Sequence, residues 1–74
     1  MPLRPLSFRE VKSRLEAAGF TEASQKGSHV KFIRQSGHII VTTIVPKHPE
    51  IAIGTLRSIL RQAALTVEEF ERLS

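Results

Sequence analysis

The sequence predicts an α+β domain of two layers, a three-stranded antiparallel sheet with helices on one face, and three observations carry that reading. Apolar residues recur at helical spacing from Phe8 to Ala18 and again from Leu56 to Ala63. Between these stretches, from Phe20 to Val45, the pattern changes to short runs rich in β-branched residues, separated by glycine-containing turn signals. Helical patterns on both sides of a strand block place the helices on one sheet face and leave the other open. The expected order is α-β-β-β-α with a short C-terminal helix, in a single domain covering residues 1–74.

Residues Met1 to Leu6, with Pro2 and Pro5, read as a short lead-in. Ser7 then stands as an N-cap with Glu10 at the N3 position of a capping box, and Leu6 and Val11 occupy the two places of a hydrophobic staple. Two independent signals thus start the first helix at one residue. Phe8, Val11, Leu15 and Ala18 form its apolar stripe; Gly19 is the expected left-handed residue beyond its end, with Phe20 packing back on Leu15. Thr21 to Gln25 reads as a first strand, Ser28 to Arg34 as a second and His38 to Val45 as a third. Lys26-Gly27 and Ser36-Gly37 are the expected turns, so the strands form a meander. Pro46 has no amide hydrogen for the ladder and ends the third strand. After the loop His48-Pro49-Glu50, Ile51 to Ile53 returns to the core, and the next helix is expected to begin near Gly54-Thr55 with Thr55 as its cap. Leu56, Ile59, Leu60 and Ala63 share its inner face, while Arg57, Arg61 and Gln62 take the solvent side. Thr66 and Glu69 make a second capping box, stapled by Leu65 and Phe70, at the start of the final helix.

A chain of 74 residues is near the size at which folding buries only about 60% of the unfolded surface, so modest stability is expected. With no cysteine, disulfides and thiolate metal sites are excluded, which suits a reducing compartment. No apolar run approaches the ~20 residues of a membrane span, and Met1 to Arg9 lacks the continuous apolar stretch of a signal peptide. A cytoplasmic protein without membrane contact is expected. Lys and Arg number 11 against seven Glu and no Asp, for a formal charge of +4 and a pI near 10.4. On so small a body that balance favours a polyanionic partner or an acidic protein.

The stretch Gly27-Ser28-His29-Val30-Lys31-Phe32 concentrates the chemistry. Strand alternation sends His29 and Lys31 to one face and Val30 and Phe32 to the core. An imidazole titrates near neutrality, so it can take a proton from a ribose 2′-hydroxyl or give one to a leaving 5′-oxygen. A nearby ammonium such as that of Lys31 can support the charge that builds on phosphorus. From the residues alone, the favoured reading of His29 is a surface side chain at a strand start, bonded by Ser28. Gly27 permits close backbone approach, and the Ser28 hydroxyl can hold a phosphate oxygen or orient the imidazole. His29, His38 and His48 match no zinc spacing, and no Cys or Asp is present to complete a site, so neither metal nor cofactor is expected. Lys26, Gly27, Arg34, Lys47, His48, Arg57 and Arg61 are candidate contacts to the phosphates of a polyanion, which the resemblance described below implies is RNA, with Arg57 and Arg61 presented together at i and i+4. All four Phe read as core, which leaves no aromatic platform for base stacking and predicts backbone-dominated, weakly selective binding.

Four segments in order, Gly27-Ser28-His29, Val45-Pro46-Lys47-His48, Gly54 to Ala63 and Glu68-Glu69-Phe70, resemble the successive signatures of the HicA (YcfA-like) messenger-RNA interferase toxins. The resemblance runs from about Ser7 to Phe70. It implies a fold like that of a double-stranded-RNA-binding domain and an endoribonuclease that cleaves mRNA without metal. It further implies His29 as the catalytic histidine, supported by Ser28 and Lys31, and a HicB-type antitoxin that covers and silences the toxin. His48 matches the histidine of the family's Val-Pro-x-His signature, whereas His38 matches nothing in it. Ala64 departs from the Gly that the family often carries between its last two helices, which implies either a strained left-handed alanine or a different helix ending. The alternative function is a non-catalytic RNA- or protein-binding module of the same fold, or a toxin that has lost activity and persists as an interaction protein.

Overall fold

The computed structural model describes residues 3–73; Met1 and Pro2 of the expected lead-in, and Ser74 at the end of the expected domain, lie outside the described residues. Helix α1 (Phe8–Ala17) is followed by strands β1 (Thr21–Lys26), β2 (His29–Ser36) and β3 (Ile39–Pro46), then helices α2 (Ile53–Gln62) and α3 (Val67–Arg72). The α+β architecture with one three-stranded antiparallel sheet is as the sequence predicts.

Ser7 caps α1, its Oγ accepting the Glu10 N–H at 3.1 Å. The return half of the box differs, because Ser7 Oγ donates to Glu10 Oε1 at 3.3 Å and the carboxylate is also held by Arg4 at 3.5 Å. At the far end, the Phe20 N–H reaches the Leu15 carbonyl and the Gly19 N–H the Glu16 carbonyl, the paired bonds of a Schellman ending, with Gly19 at φ 98°. Val11, Leu15 and Phe20 are fully buried as expected, but Phe8, at the outer end of the stripe, is only half-buried.

The sheet order is β1-β2-β3. Both turns sit one residue later than expected: Gly27-Ser28 and Gly37-His38 are the loop residues, closed by the pairs Lys26↔His29 and Ser36↔Ile39. Gly27 and Gly37 have φ 60° and 61° while the residues after them do not, the pattern of a type II′ turn, where glycine belongs at the first central place. Each turn is tied by a glutamine two residues upstream: Gln25 Nε2 donates to the Gly27 carbonyl and Gln35 Nε2 to the Gly37 carbonyl. The two hairpins are thus built alike, from Gln-x-Gly.

Val30 pairs with Val45 and Phe32 with Thr43, and all four are buried beneath the helices. Among the described residues Thr43 is the one buried polar side chain; its Oγ1 lies 3.0 Å from the Ile59 carbonyl and 3.1 Å from Gln62 Oε1. Gln62 is exposed as expected, and its Oε1 also accepts the Ile44 N–H at 3.0 Å and so latches α2 to the β3 edge. Strand β1 is exposed throughout, bulged between Glu22 and Ser24, and joined to α1 by the Lys12–Glu22 ion pair at 3.2 Å.

Helix α2 begins earlier than Gly54-Thr55. Its N-cap is Ala52, with no side-chain bond, because Ile51 and Leu6 exchange backbone hydrogen bonds and deliver the chain directly into the helix. Thr66 and Glu69 form the complete capping box of α3, and the Thr66 N–H that Glu69 accepts holds that carboxyl below its ordinary value. Between the helices Ala64 has φ 58°, and the Leu65 N–H bonds the Leu60 carbonyl, so α2 ends in a Schellman turn with alanine in the left-handed place. An Ala64→Gly change is expected to stabilise the domain by about 1 kcal/mol, raising Tm by roughly 4–8 °C in a chain this short. A thermal melt in which Tm stays put or falls would contradict that strain.

Candidate functional site

His29 is the first residue of β2, exposed, directly after the Gly27-Ser28 turn. Burial alternates along the strand as expected, with His29 and Lys31 exposed and Val30 and Phe32 buried. A rise of about 3.3 Å per residue puts His29 and Lys31 roughly 6.6 Å apart along β2. Lys26 is the direct cross-strand partner of His29, a position that brings Cβ atoms within about 5 Å. His29 therefore has one lysine opposite it across the ladder and another two residues along its own strand, and neither β2 nor β3 carries a carboxylate. The same open face continues through Ile44, the partner of Lys31, and Ile40, the partner of Gln35, which are 38% and 62% exposed.

The loop after β3 meets this corner from the side. The Lys47 N–H donates to the Ser28 carbonyl, and the His48 carbonyl accepts the Phe8 N–H at 3.2 Å. Three chain segments, the Gly27-Ser28 turn, the Lys47-His48 loop and the first turn of α1, are thereby tied by backbone bonds that no sequence pattern specifies. Ser7, Phe8, Arg9, Lys47, His48 and Pro49 line a cleft of about 470 Å³ there, and Lys47 Nζ stands 5.9 Å over the Phe8 ring. Phe8 is the aromatic that the sequence reading assigned to core. It occupies the helix stripe, yet in the first turn fewer neighbours cover it; its place at that end is the signal that distinguishes it from Phe20, Phe32 and Phe70.

Other candidates lie elsewhere. Arg34 is on the helix side of β2, where its Nη1 donates to the Ala18 carbonyl at 3.1 Å and its guanidinium stands 4.9 Å over the Phe20 ring. It closes the C-terminal end of α1. The Arg34→Ala protein is expected to lose about 1.5–3 kcal/mol of stability, as for a hydrogen bond to a charged group, which urea denaturation measures. An unmoved urea midpoint would contradict that closing role. Arg57 and Arg61 line a separate cleft at the α2–α3 junction with Leu60, Leu65, Thr66 and Val67. His38 is exposed in the β2–β3 turn, at the opposite end of β2 from His29. Among the described residues no three His, Cys, Asp or Glu side chains are placed to hold a metal ion, and no helix is long and apolar enough to cross a membrane.

A model of a protein family, that of the HicA toxin of bacterial toxin-antitoxin systems, matches residues 8–65 of the chain. The matched span opens at Phe8 and closes at Leu65, and so takes in the His29 turn, all three strands and α2. No curated protein matches the chain.

Proposed function

Because the chain belongs to the HicA toxin family of bacterial toxin-antitoxin systems, we propose that it is an endoribonuclease that cleaves mRNA by acid-base chemistry at His29. The observation that carries the reading is the exposed His29 with Lys26 across the ladder and Lys31 on the same strand face. RNA brings its own nucleophile. The 2′-oxygen attacks the adjacent phosphorus as the bond from phosphorus to the 5′-oxygen breaks, leaving a 2′,3′-cyclic phosphate and a 5′-hydroxyl. His29 handles one of the two protons, taken from the 2′-oxygen or given to the 5′-oxygen, and water handles the other. Lys31 and Lys26 stabilise the charge on the phosphorane oxygens, and Ser28 orients the imidazole or a phosphate oxygen. Gly27, Lys47 and His48 border the same corner and contact the RNA backbone.

A toxin of such a system has an antitoxin partner. We assign it to the HicB type, seated over the open sheet face, where exposed Ile44 lies across from basic Lys31, with exposed Ile40 further along the same strand, and fits a surface that is both apolar and acidic. The deciding experiment is incubation of purified, partner-free protein with a long single-stranded RNA in EDTA. Cleavage with cyclic-phosphate ends supports the metal-free route. If the folded protein leaves the RNA intact with and without Mg²⁺, the non-catalytic binding module replaces this reading.

A further inference from the structure

We propose that the cleft at the start of α1 is a nucleotide subsite, in which a single-stranded RNA base stacks on Phe8 while Arg9 and Lys47 hold the flanking phosphate. This deepens the ribonuclease reading and rests on it. Phe8 is the only one of the four Phe that is not fully buried, since Phe20, Phe32 and Phe70 are 1%, 0% and 0% exposed. Its ring and Pro49 supply apolar walls, and Ser7, Arg9, Lys47 and His48 supply polar ones. A volume of about 470 Å³ accommodates a nucleotide. Among the described residues no carboxylate lines this cleft. The neighbouring cleft beyond Phe8, Arg9 and Lys47 contains Glu22, already paired with Lys12, and is the poorer place for a phosphate.

The cleft is also attached to the site of cleavage. Lys47 is bonded through its backbone to Ser28, one residue before His29, so the cleft and the His29 turn are held in one frame, and the proposed strand runs from His29 across the sheet edge to Phe8. Lys47 Nζ now stands over the Phe8 ring at the outer range of a cation–π contact. It can swing to the phosphate and uncover the ring at small cost. Base stacking on an aromatic side chain selects unpaired RNA, because a base in a duplex has no free face. The site therefore directs the enzyme to single-stranded segments of its substrate.

The test is binding of a fluorescent single-stranded 2′-O-methyl octanucleotide, which lacks the free nucleophile, together with an abasic scan of the same oligomer. In wild type, one abasic position is expected to weaken binding about 5- to 150-fold. Phe8→Leu is expected to bind every member of the scan alike, and Arg9→Gln to reduce the salt slope by about 0.7. If Phe8→Leu fails to fold, the wild-type scan and Arg9→Gln decide the matter, because Arg9 is exposed and forms no ion pair among the described residues. A flat scan in wild type with an unchanged slope in Arg9→Gln overturns the subsite. If wild type still cuts long RNA in that case, the nuclease reading survives alone; if it neither binds nor cuts, both fall together.

Discussion

The His29→Ala protein is expected to fold like wild type and to cleave RNA about 10²- to 10⁴-fold more slowly, the range contributed by a positioned acid-base group. The fold is insensitive for a structural reason. His29 is exposed, its side chain makes no hydrogen bond among the described residues, and its strand position is held by backbone pairing to Lys26 and Pro46. Surface substitutions of that kind usually change stability by no more than about 0.5 kcal/mol. Circular dichroism and a thermal melt would establish that the variant is folded before rates are compared. Lys31→Ala should have a smaller effect, because Lys26 remains across the ladder to offset phosphorane charge. A folded His29→Ala enzyme that cuts at the wild-type rate would remove the imidazole from the mechanism. Growth arrest on expression without an antitoxin provides a parallel readout in cells, and His29→Ala should relieve it.

Phe70→Ala should produce the largest change in stability, about 3–5 kcal/mol. Phe70 lies beyond the matched segment 8–65, in a helix of only six residues, yet its side chain is completely buried in the common core. The Arg14 guanidinium stands 5.0 Å over its ring, and Arg14 Nη1 donates to the Phe70 carbonyl at 3.3 Å while pairing with Glu71 at 3.5 Å. Removal of the ring therefore leaves a cavity and takes away the cation–π contact, while the bonds from Arg14 to the backbone carbonyl of residue 70 and to Glu71 can persist. A chain of this length has a total stability of roughly 4–11 kcal/mol, so the variant should be partly unfolded under ordinary conditions. Urea denaturation followed by circular dichroism measures the loss. A value below about 1 kcal/mol would mean that the site collapses around the missing ring and that α3 contributes little.

The helix ends were legible because their signals are local. Ser7 with Glu10, Gly19 with Phe20, and Thr66 with Glu69 each act within one turn of backbone, and the structure places all three as read, apart from the return bond of the first box. The start of α2 was misread because Thr55 is a good cap by residue type, whereas the actual start depends on a backbone exchange between Ile51 and the distant Leu6. Both turns were placed one residue early. The glycines were recognised, but whether glycine is the first or second loop residue depends on strand register, which pairing across the sheet decides.

The architecture, the two faces of β2 and the exposure of His29 and Lys31 follow from local pattern, because periodicity of burial is written residue by residue. Tertiary structure alone decided which charges share a site. Arg34 has the alternation of a core-facing position but the chemistry of a surface one, and only packing commits it to the end of α1. Lys26 came to His29 through register, and Phe8, Arg9 and Lys47 came together because two backbone hydrogen bonds join segments far apart in the chain. Such bonds use groups that every residue carries, so no side-chain pattern announces them.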